Sequence, residues 1–339
     1  TQGARFEGDR LMGFTQQPRQ LTEATVSVLS EHSLMTISGP DSQRFLQGQI
    51  STHMNQLLPM QHSGGVACTP KGRMYSTFRI VNDGSQYFLF MGSDLIDSTL
   101  ETLKKYSIFF KTTLESSQNT VLLGLSGTDI DARLMEIFSL KQLPRDNALQ
   151  AIEDDNLLMG IPGITSRYLL WLPEQKLPRW WPELTSRLTP ATEAFWKLLN
   201  IESVTPELSA SLAENYIPQH LNQPSLGNIS FKKGCFTGQE IITRMQNLGQ
   251  QKSRCYHLTL KGETVPDVNQ RIYDQDGKNA GEVIMATQGV ANPQEVDMLA
   301  VVRIDPAEAD QLYLDQDGKQ PLEAHPIPYP IDEKGELQH

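Results

Sequence analysis

Cysteine is scarce in these 339 residues: Cys68, Cys235 and Cys255 are the only three, widely spaced and with no CxxC pair. Such a set supplies neither a disulfide framework nor a zinc or cluster cage within the chain. A reducing compartment is its simplest setting. No apolar run approaches the roughly 20 residues of a membrane span. The polar start, Thr1 to Arg10, lacks the apolar core of a secretory signal. The chain therefore reads as cytoplasmic, without a membrane partner. Glycine-rich phosphate loops are missing too: there is neither a GxGxxG nor a Walker sequence, which argues against a dinucleotide-binding doubly wound sheet. Basic residues are few toward the C-terminus. Gly262 to His339 holds 16 acidic and 5 basic residues, whereas residues 1–261 are balanced at 24 of each. The net charge of −11 is thus a solvated acidic surface at one end, with no broad phosphate-binding footprint there.

What is present suits a globular protein of two or three domains: 38% hydrophobic and 20% charged residues. Residues 1–20 read as a flexible leader. From residue 21 to 249, short apolar runs of strand length (Ser33–Ser38, Tyr87–Met91, Thr120–Leu125, Arg167–Leu172) alternate with helical patterns, including one after Ser93 and one over Asp129–Phe138. This predicts an α+β region with mixed sheets. Asp41 is positioned to cap a helix through Phe45 and Leu46. Thr189-Pro190 is expected to open another helix with Pro at its first position, burying Phe195, Leu198 and Leu199 and placing Trp196 beside that stripe. Residues 250–339 change character: Cys255–Leu260, Gly281–Ala286 and Met298–Ile304 read as strands separated by Asp-Gly and Asn-Pro turns, an all-β domain.

The segment with the most chemistry is Phe231-Lys232-Lys233-Gly234-Cys235-Phe236-Thr237-Gly238-Gln239-Glu240. Thr237 and Glu240 have capping-box spacing, and Ile241, Met245 and Leu248 form one apolar face of the helix predicted to follow. Cys235 would then lie two residues before the N-cap. The helix dipole, with Lys232 and Lys233, would favour its thiolate, and Gly234 would permit a turn that presents the sulfur. The plainer alternative is a small buried cysteine in a strand–turn–helix, with Glu240 only capping.

The run KGCFTGQE is similar to the K-G-C-[FY]-x-G-Q-E signature of the YgfZ-type folate-binding proteins, relatives of the glycine-cleavage aminomethyltransferase. The likeness extends to Ile217-Pro218-Gln219, Gly227-Asn228-Ile229-Ser230-Phe231, Arg244, Phe45-Leu46-Gln47-Gly48-Gln49 and Lys71-Gly72-Arg73-Met74, and spans roughly residues 14–330. The resemblance implies two ferredoxin-like lobes and a C-terminal β-barrel around a central channel. It implies tetrahydrofolate or a derivative as cofactor, with no metal bound by the chain alone. It also implies a role in the maturation or repair of iron–sulfur enzymes, and through them in tRNA modification by a client such as a tRNA methylthiotransferase. Tight direct tRNA binding is not expected of an acidic chain.

The resemblance also assigns residues. The motif (Lys233, Gly234, Cys235, Phe236, Gly238, Gln239, Glu240) carries the candidate reactive thiol. Trp196 matches an aromatic position linked to folate, where an indole face can stack on a pterin. A second such position holds His32 where Trp is usual. Glu202, in an Ile-Glu pair, matches a pterin-facing carboxylate, and Val204 stands where relatives tend to have Gly. Lys71 and Arg73 are candidates for the folate glutamate tail. Ser76 and Thr77 occupy a step that is acidic in the aminomethyltransferase. Neither handles a proton at neutral pH, so stand-alone aminomethyl transfer is not expected. A folate-dependent one-carbon transferase acting on a small molecule is the competing possibility.

Overall fold

The computed structural model describes residues 5–7, 10–12, 23–117, 119–145, 147–153, 155–249, 251–290 and 292–332. The strands are β1 (Arg5–Glu7), β2 (Arg10–Met12), β3 (Thr25–Val28), β4 (His32–Ser38), β5 (Gln61–Cys68), β6 (Met74–Asn82), β7 (Tyr87–Gly92), β8 (Thr113–Ser116), β9 (Thr120–Ser126), β10 (Leu149–Ile152), β11 (Asn156–Ile161), β12 (Arg167–Pro173), β13 (Thr189–Ala191), β14 (Ser253–Lys261), β15 (Arg271–Asp274), β16 (Asn279–Gln288), β17 (Glu295–Arg303), β18 (Leu312–Tyr313) and β19 (Pro321–Ala324). The helices are α1 (Ser42–Gln49), α2 (Ile96–Ser107), α3 (Ile130–Ile137), α4 (Leu177–Thr185), α5 (Glu193–Glu202), α6 (Gln239–Leu248) and α7 (Ile304–Glu308). The stretch read as a leader falls largely outside the described residues, though β1 and β2 pair as an antiparallel hairpin.

Two sheets and a barrel result. The first sheet has the order β5-β6-β7-β4-β8, the second β10-β11-β12-β9-β3-β13, and β14-β17-β16-β15-β18-β19 close into a six-stranded antiparallel barrel. β3 precedes the first sheet in the chain yet sits in the second, antiparallel to β9. The two sheets are therefore interlaced.

Period-two alternation explains the layering. In β12, Tyr168, Leu170 and Leu172 pack with Ile130, Leu134, Leu177 and Trp180 of α3 and α4. Leu169 and Trp171 point the other way, into a core shared with Val81 and Phe90 of the first sheet and with Phe195, Trp196 and Leu199 of α5. The first sheet's far face packs with α1, α2 and the approach to the motif, and Leu258, Val283, Met298 and Val302 fill the barrel. Helix α5 is consequently enclosed on nearly every side; Phe195, Trp196, Leu198, Leu199, Asn200 and Ile201 are all buried. Gly124 lies on the α5-facing side of β9. A Cβ there would stand 2.9 Å from the Cδ2 of Trp196 and closer still to its Cε3.

Two local expectations are corrected, and one strained residue is found. Thr189-Pro190 does not open a helix. It belongs to β13, an edge strand parallel to β3, where a missing N–H is tolerated, and α5 begins after Thr192. Asp41 precedes α1 without a side-chain cap bond; its Oδ2 accepts the Lys111 N–H at 2.8 Å instead. Val204 takes the left-handed conformation (φ 48°) that glycine adopts freely, so a valine that stands where relatives tend to have Gly is held in strained backbone. Tyr329, from the C-terminal tail, donates its hydroxyl to the Val204 carbonyl at 2.7 Å.

Replacing Gly124 with Ala should destabilise the protein by about 1–3 kcal/mol, the range for an extra carbon forced into a packed core. A lower urea midpoint with an unchanged m-value would show it.

Candidate functional site

The thiol motif leans on the first sheet. Lys233 is buried, and its Nζ donates to the carbonyls of Ile50 (2.6 Å) and Thr52 (2.7 Å) while lying 5.0 Å from the Phe236 ring centroid. Burial pushes its ammonium down to about 7. The Thr237 N–H donates to the Gly48 carbonyl at 3.1 Å. Lys233 thus pins the loop between α1 and β5, and Cys235, two residues on, is exposed.

The expected capping box does not form. The N-cap of α6 is Gly238, in the left-handed region at φ 84°, with no side-chain cap bond. Thr237 Oγ1 faces Gln49 Oε1 (3.3 Å) and the Gly48 carbonyl instead. Cys235 lies three residues before the cap. The glycine that matters sterically is Gly238, whose added Cβ would come within 2.6 Å of the Thr69 carbonyl oxygen; at Gly234 a Cβ would meet nothing within 4 Å. The apolar face is also rotated from the expected one. Ile242 and Gln246 are the buried residues of α6, and Leu248 is exposed. Polar anchors select this face: Gln219 Nε2 donates to the Ile242 carbonyl at 2.9 Å, and Gln246 Nε2 to the Asp332 carbonyl at 2.6 Å.

A separate cavity of about 450 Å³ opens where the first sheet, α5 and the barrel meet. Glu31, His32 and Gly92 form one wall, Trp196 and Asn200 of α5 another, Glu207 to Ser209 a third, and Ile284 to Ala286 of β16 the barrel side. Its size falls in the ordinary range for small-molecule sites.

A continuous polar chain underlies it. His32 Nδ1 meets Glu193 Oε1 at 2.9 Å and its Nε2 meets Glu207 Oε2 at 3.0 Å. A carboxylate only accepts, so both ring nitrogens carry protons and the ring is an imidazolium. Burial alone lowers its pKa, but the charge of Glu207 and the bonds to both carboxylates override this and raise it to about 10. The ring stacks on Phe90, centroids 4.9 Å apart and 5° from parallel. Glu207 Oε1 accepts from Asn200 Nδ2 at 3.0 Å, and Asn200 Oδ1 accepts from Arg167 Nη1 at 2.7 Å. The Arg167 guanidinium lies 5.4 Å from the Trp196 ring centroid. Burial tends to raise the Glu207 carboxyl, but His32, and then Arg167 and Lys197, hold it below its ordinary value.

His32 and Trp196, assigned from distant parts of the sequence, thus share one cavity. Cys235, Glu202, Lys71 and Arg73 are not among its lining residues. Glu202 ends α5 on the side of the barrel pair His257–Asp297; burial and the Asp297 charge raise its pKa, and His257 opposes them. Lys71 and Arg73 are exposed in the turn whose Gly72 packs against Ile241 and Gly238, on the motif's side of the first sheet. Thr77 Oγ1 accepts the Leu208 N–H at 2.9 Å and so holds the Glu207 loop; Ser76 Oγ contacts Met91 Sδ at 3.7 Å. Cys255 is buried among the first sheet's core residues. Sequence reasoning missed Glu193, Asn200, Glu207 and Arg167. The one available signal was that charged and amide residues flank an aromatic on a helix otherwise destined for the core. Among the described residues, no group of three or more His, Cys, Asp or Glu could hold a metal ion, and no helix is long and apolar enough to cross a membrane.

This arrangement of two interlaced sheets and a barrel is an aminomethyltransferase-like fold. The glycine-cleavage aminomethyltransferase T of Bartonella henselae has the same fold, with a TM-score of 0.76 over 97% of this chain and 95% of that one, at 14% identity. The chain belongs to the YgfZ family of tRNA-modifying proteins. It is 31% identical over 331 residues to the YgfZ protein of Escherichia coli O7:K1, covering 95% of this chain and all of that one, and 30% identical over the same length to that of Shigella boydii. No protein-family model matches the sequence.

Two outcomes follow from this geometry. The His32 imidazolium has a folded pKa (about 10) above its ordinary 6.5. Its stabilisation is therefore complete below about pH 6.5 and is lost as pH rises toward 10. Thermal midpoints measured from pH 6.5 to 10 should fall more steeply in the native protein than in His32→Gln. Lys233→Met would strand the two carbonyls that Lys233 satisfies. It should cost roughly 1–3 kcal/mol per buried acceptor left unpaired, read from urea unfolding.

Proposed function

We propose that this protein is a folate-binding accessory protein that supports the maturation or repair of iron–sulfur enzymes and thereby tRNA modification, methylthiolation included, in the cytoplasm. The carrying observation is the cavity lined by both Trp196 and His32. We read the two sheets as ferredoxin-like lobes and the space they share with the barrel as the central channel. The residues suit a reduced pterin: an indole to meet a flat ring, a fixed carboxylate to accept from its amino edge, and apolar barrel residues opposite. Bound folate would supply a one-carbon unit or a redox-active ring. The chain's own part is to bind and orient it and to keep a separate thiol, Cys235, accessible to a client protein. Lys71 and Arg73, exposed in the turn whose Gly72 packs against Ile241 and Gly238, would meet the carboxylates of a folate glutamate tail.

The transferase reading is less well supported. The step that is acidic in the aminomethyltransferase holds Ser76 and Thr77 here, and both hydroxyls are engaged within the protein.

Titration with tetrahydrofolate should quench tryptophan fluorescence in the native protein, and the quench should shrink markedly in Trp196→Phe. No saturable quench in the native protein, supported by no heat of binding in calorimetry, would remove folate from the reading. In cells lacking the endogenous homologue, Cys235→Ala should fail to restore methylthiolated tRNA; full restoration would remove the thiol from the function.

A further inference from the structure

Among the described residues, no large apolar side chain is more exposed than Phe109 (91%), and its neighbour Ile108 is 76% exposed. The two form the turn between α2 and β8. The base of this turn is fixed. Phe110 packs edge-on against Phe45 of α1, centroids 5.3 Å apart. Its N–H donates to the Ser107 carbonyl at 2.9 Å, and Asp41 Oδ2 accepts the Lys111 N–H at 2.8 Å. An apolar tip held in this way loses little freedom when it is covered. Cations surround it. Lys105 pairs with Glu101 at 3.0 Å. Arg44, Lys104 and Lys111 are exposed and pair with no carboxylate among the described residues, although the chain carries a net charge of −11. The other acids of these elements, Asp97 and Glu115, lie toward the far ends of α2 and β8. Helix α1 joins the turn to the thiol. The Arg44 guanidinium lies 5.3 Å from the Phe110 ring centroid. Gly48 follows Arg44 by four residues, one helical turn or about 6 Å along the same face. The Gly48 carbonyl accepts the N–H of Thr237 at 3.1 Å, two residues after the exposed Cys235.

Resting on the reading of Cys235 as a thiol that faces a client, we propose that the Ile108–Phe109 turn is the docking surface for that client, an iron–sulfur protein with an apolar pocket rimmed by Asp and Glu. An apolar, aromatic centre with a charged rim is the anatomy of a protein interface. The three unpaired cations select an acidic partner and speed its approach. RNA fits less well: Ile108 has no flat face on which a base could stack, and three cations fall short of a clustered phosphate-binding footprint. A second copy of this chain could offer its acidic C-terminal segment. That contact would join two different surfaces head to tail and so build open chains.

The test measures binding of the full-length protein to a purified iron–sulfur tRNA methylthiotransferase by calorimetry. Native affinity should fall as salt is raised. Phe109→Ser and the double variant Lys104→Glu/Lys111→Glu should each bind roughly 30-fold or more weakly, the size of effect for a central anchor. Ile164→Ser, at an exposed apolar position between β11 and β12, should bind as the native protein does. In cells lacking the endogenous homologue, both turn variants should fail to restore methylthiolated tRNA while matching the native protein in abundance and thermal midpoint. Native affinity in both turn variants overturns the inference, as does a native protein that does not bind the enzyme. So does a loss, in those variants, of native binding to unmodified tRNA or of native self-association in sedimentation, which would identify RNA or a second copy as the occupant. Full restoration by both turn variants, with Cys235→Ala still failing, overturns the docking surface and leaves the thiol reading standing. Full restoration by Cys235→Ala as well overturns both.

Discussion

One imidazolium between two carboxylates organises the cavity. His32 begins β4 of the first sheet, Glu193 begins α5, and Glu207 sits in the loop after that helix. The ring ties three segments of chain together through nitrogen–oxygen contacts of 2.9 and 3.0 Å. A buried cation or a buried carboxylate alone would be costly. Together, with Asn200 and Arg167 completing the chain of bonds, the desolvation penalty is offset by charge-assisted hydrogen bonds. The loop that carries Glu207 is therefore held firmly, although it has no regular secondary structure. It is also tied to β6 through Thr77, and this gives a physical role to a hydroxyl at a step that is acidic in the aminomethyltransferase.

The thiol motif follows a different logic. Its anchors are backbone contacts: Lys233 to two carbonyls of the segment after α1, Thr237 to Gly48, and Gly238 against the Thr69 turn. Burying the cation next to Cys235 leaves the sulfur-bearing residue outside, held by a rigid base and free of packing itself. The cavity that Trp196 and His32 line and the exposed Cys235 occupy separate parts of one scaffold.

Much of the fold was legible from periodicity. Strands such as Thr120–Leu125 and Arg167–Leu172 and the helix over Asp129–Phe138 are where the apolar pattern places them, because each faces a core on at least one side. The errors came where distant contacts decide. Pro190 looks like a helix start until β3 is available to pair with it. Thr237 and Glu240 have capping spacing, yet the backbone of α1 competes for the threonine hydroxyl. The α6 face is set by Gln219 and the carbonyl of Asp332, which local hydrophobicity does not encode.

The site divides in the same way. From sequence alone came the family likeness, the motif around Cys235, and the two positions His32 and Trp196, since each is a matter of residue identity at a numbered place. The tertiary structure decided that His32 and Trp196 share a cavity with Glu207, and that Cys235, Glu202, Lys71 and Arg73 are not among its lining residues. The reason is range. Identity and periodicity are local properties of a chain, whereas the protonation of His32 arises from carboxylates 161 and 175 residues away along it, which meet it only once the sheets, α5 and the barrel have packed.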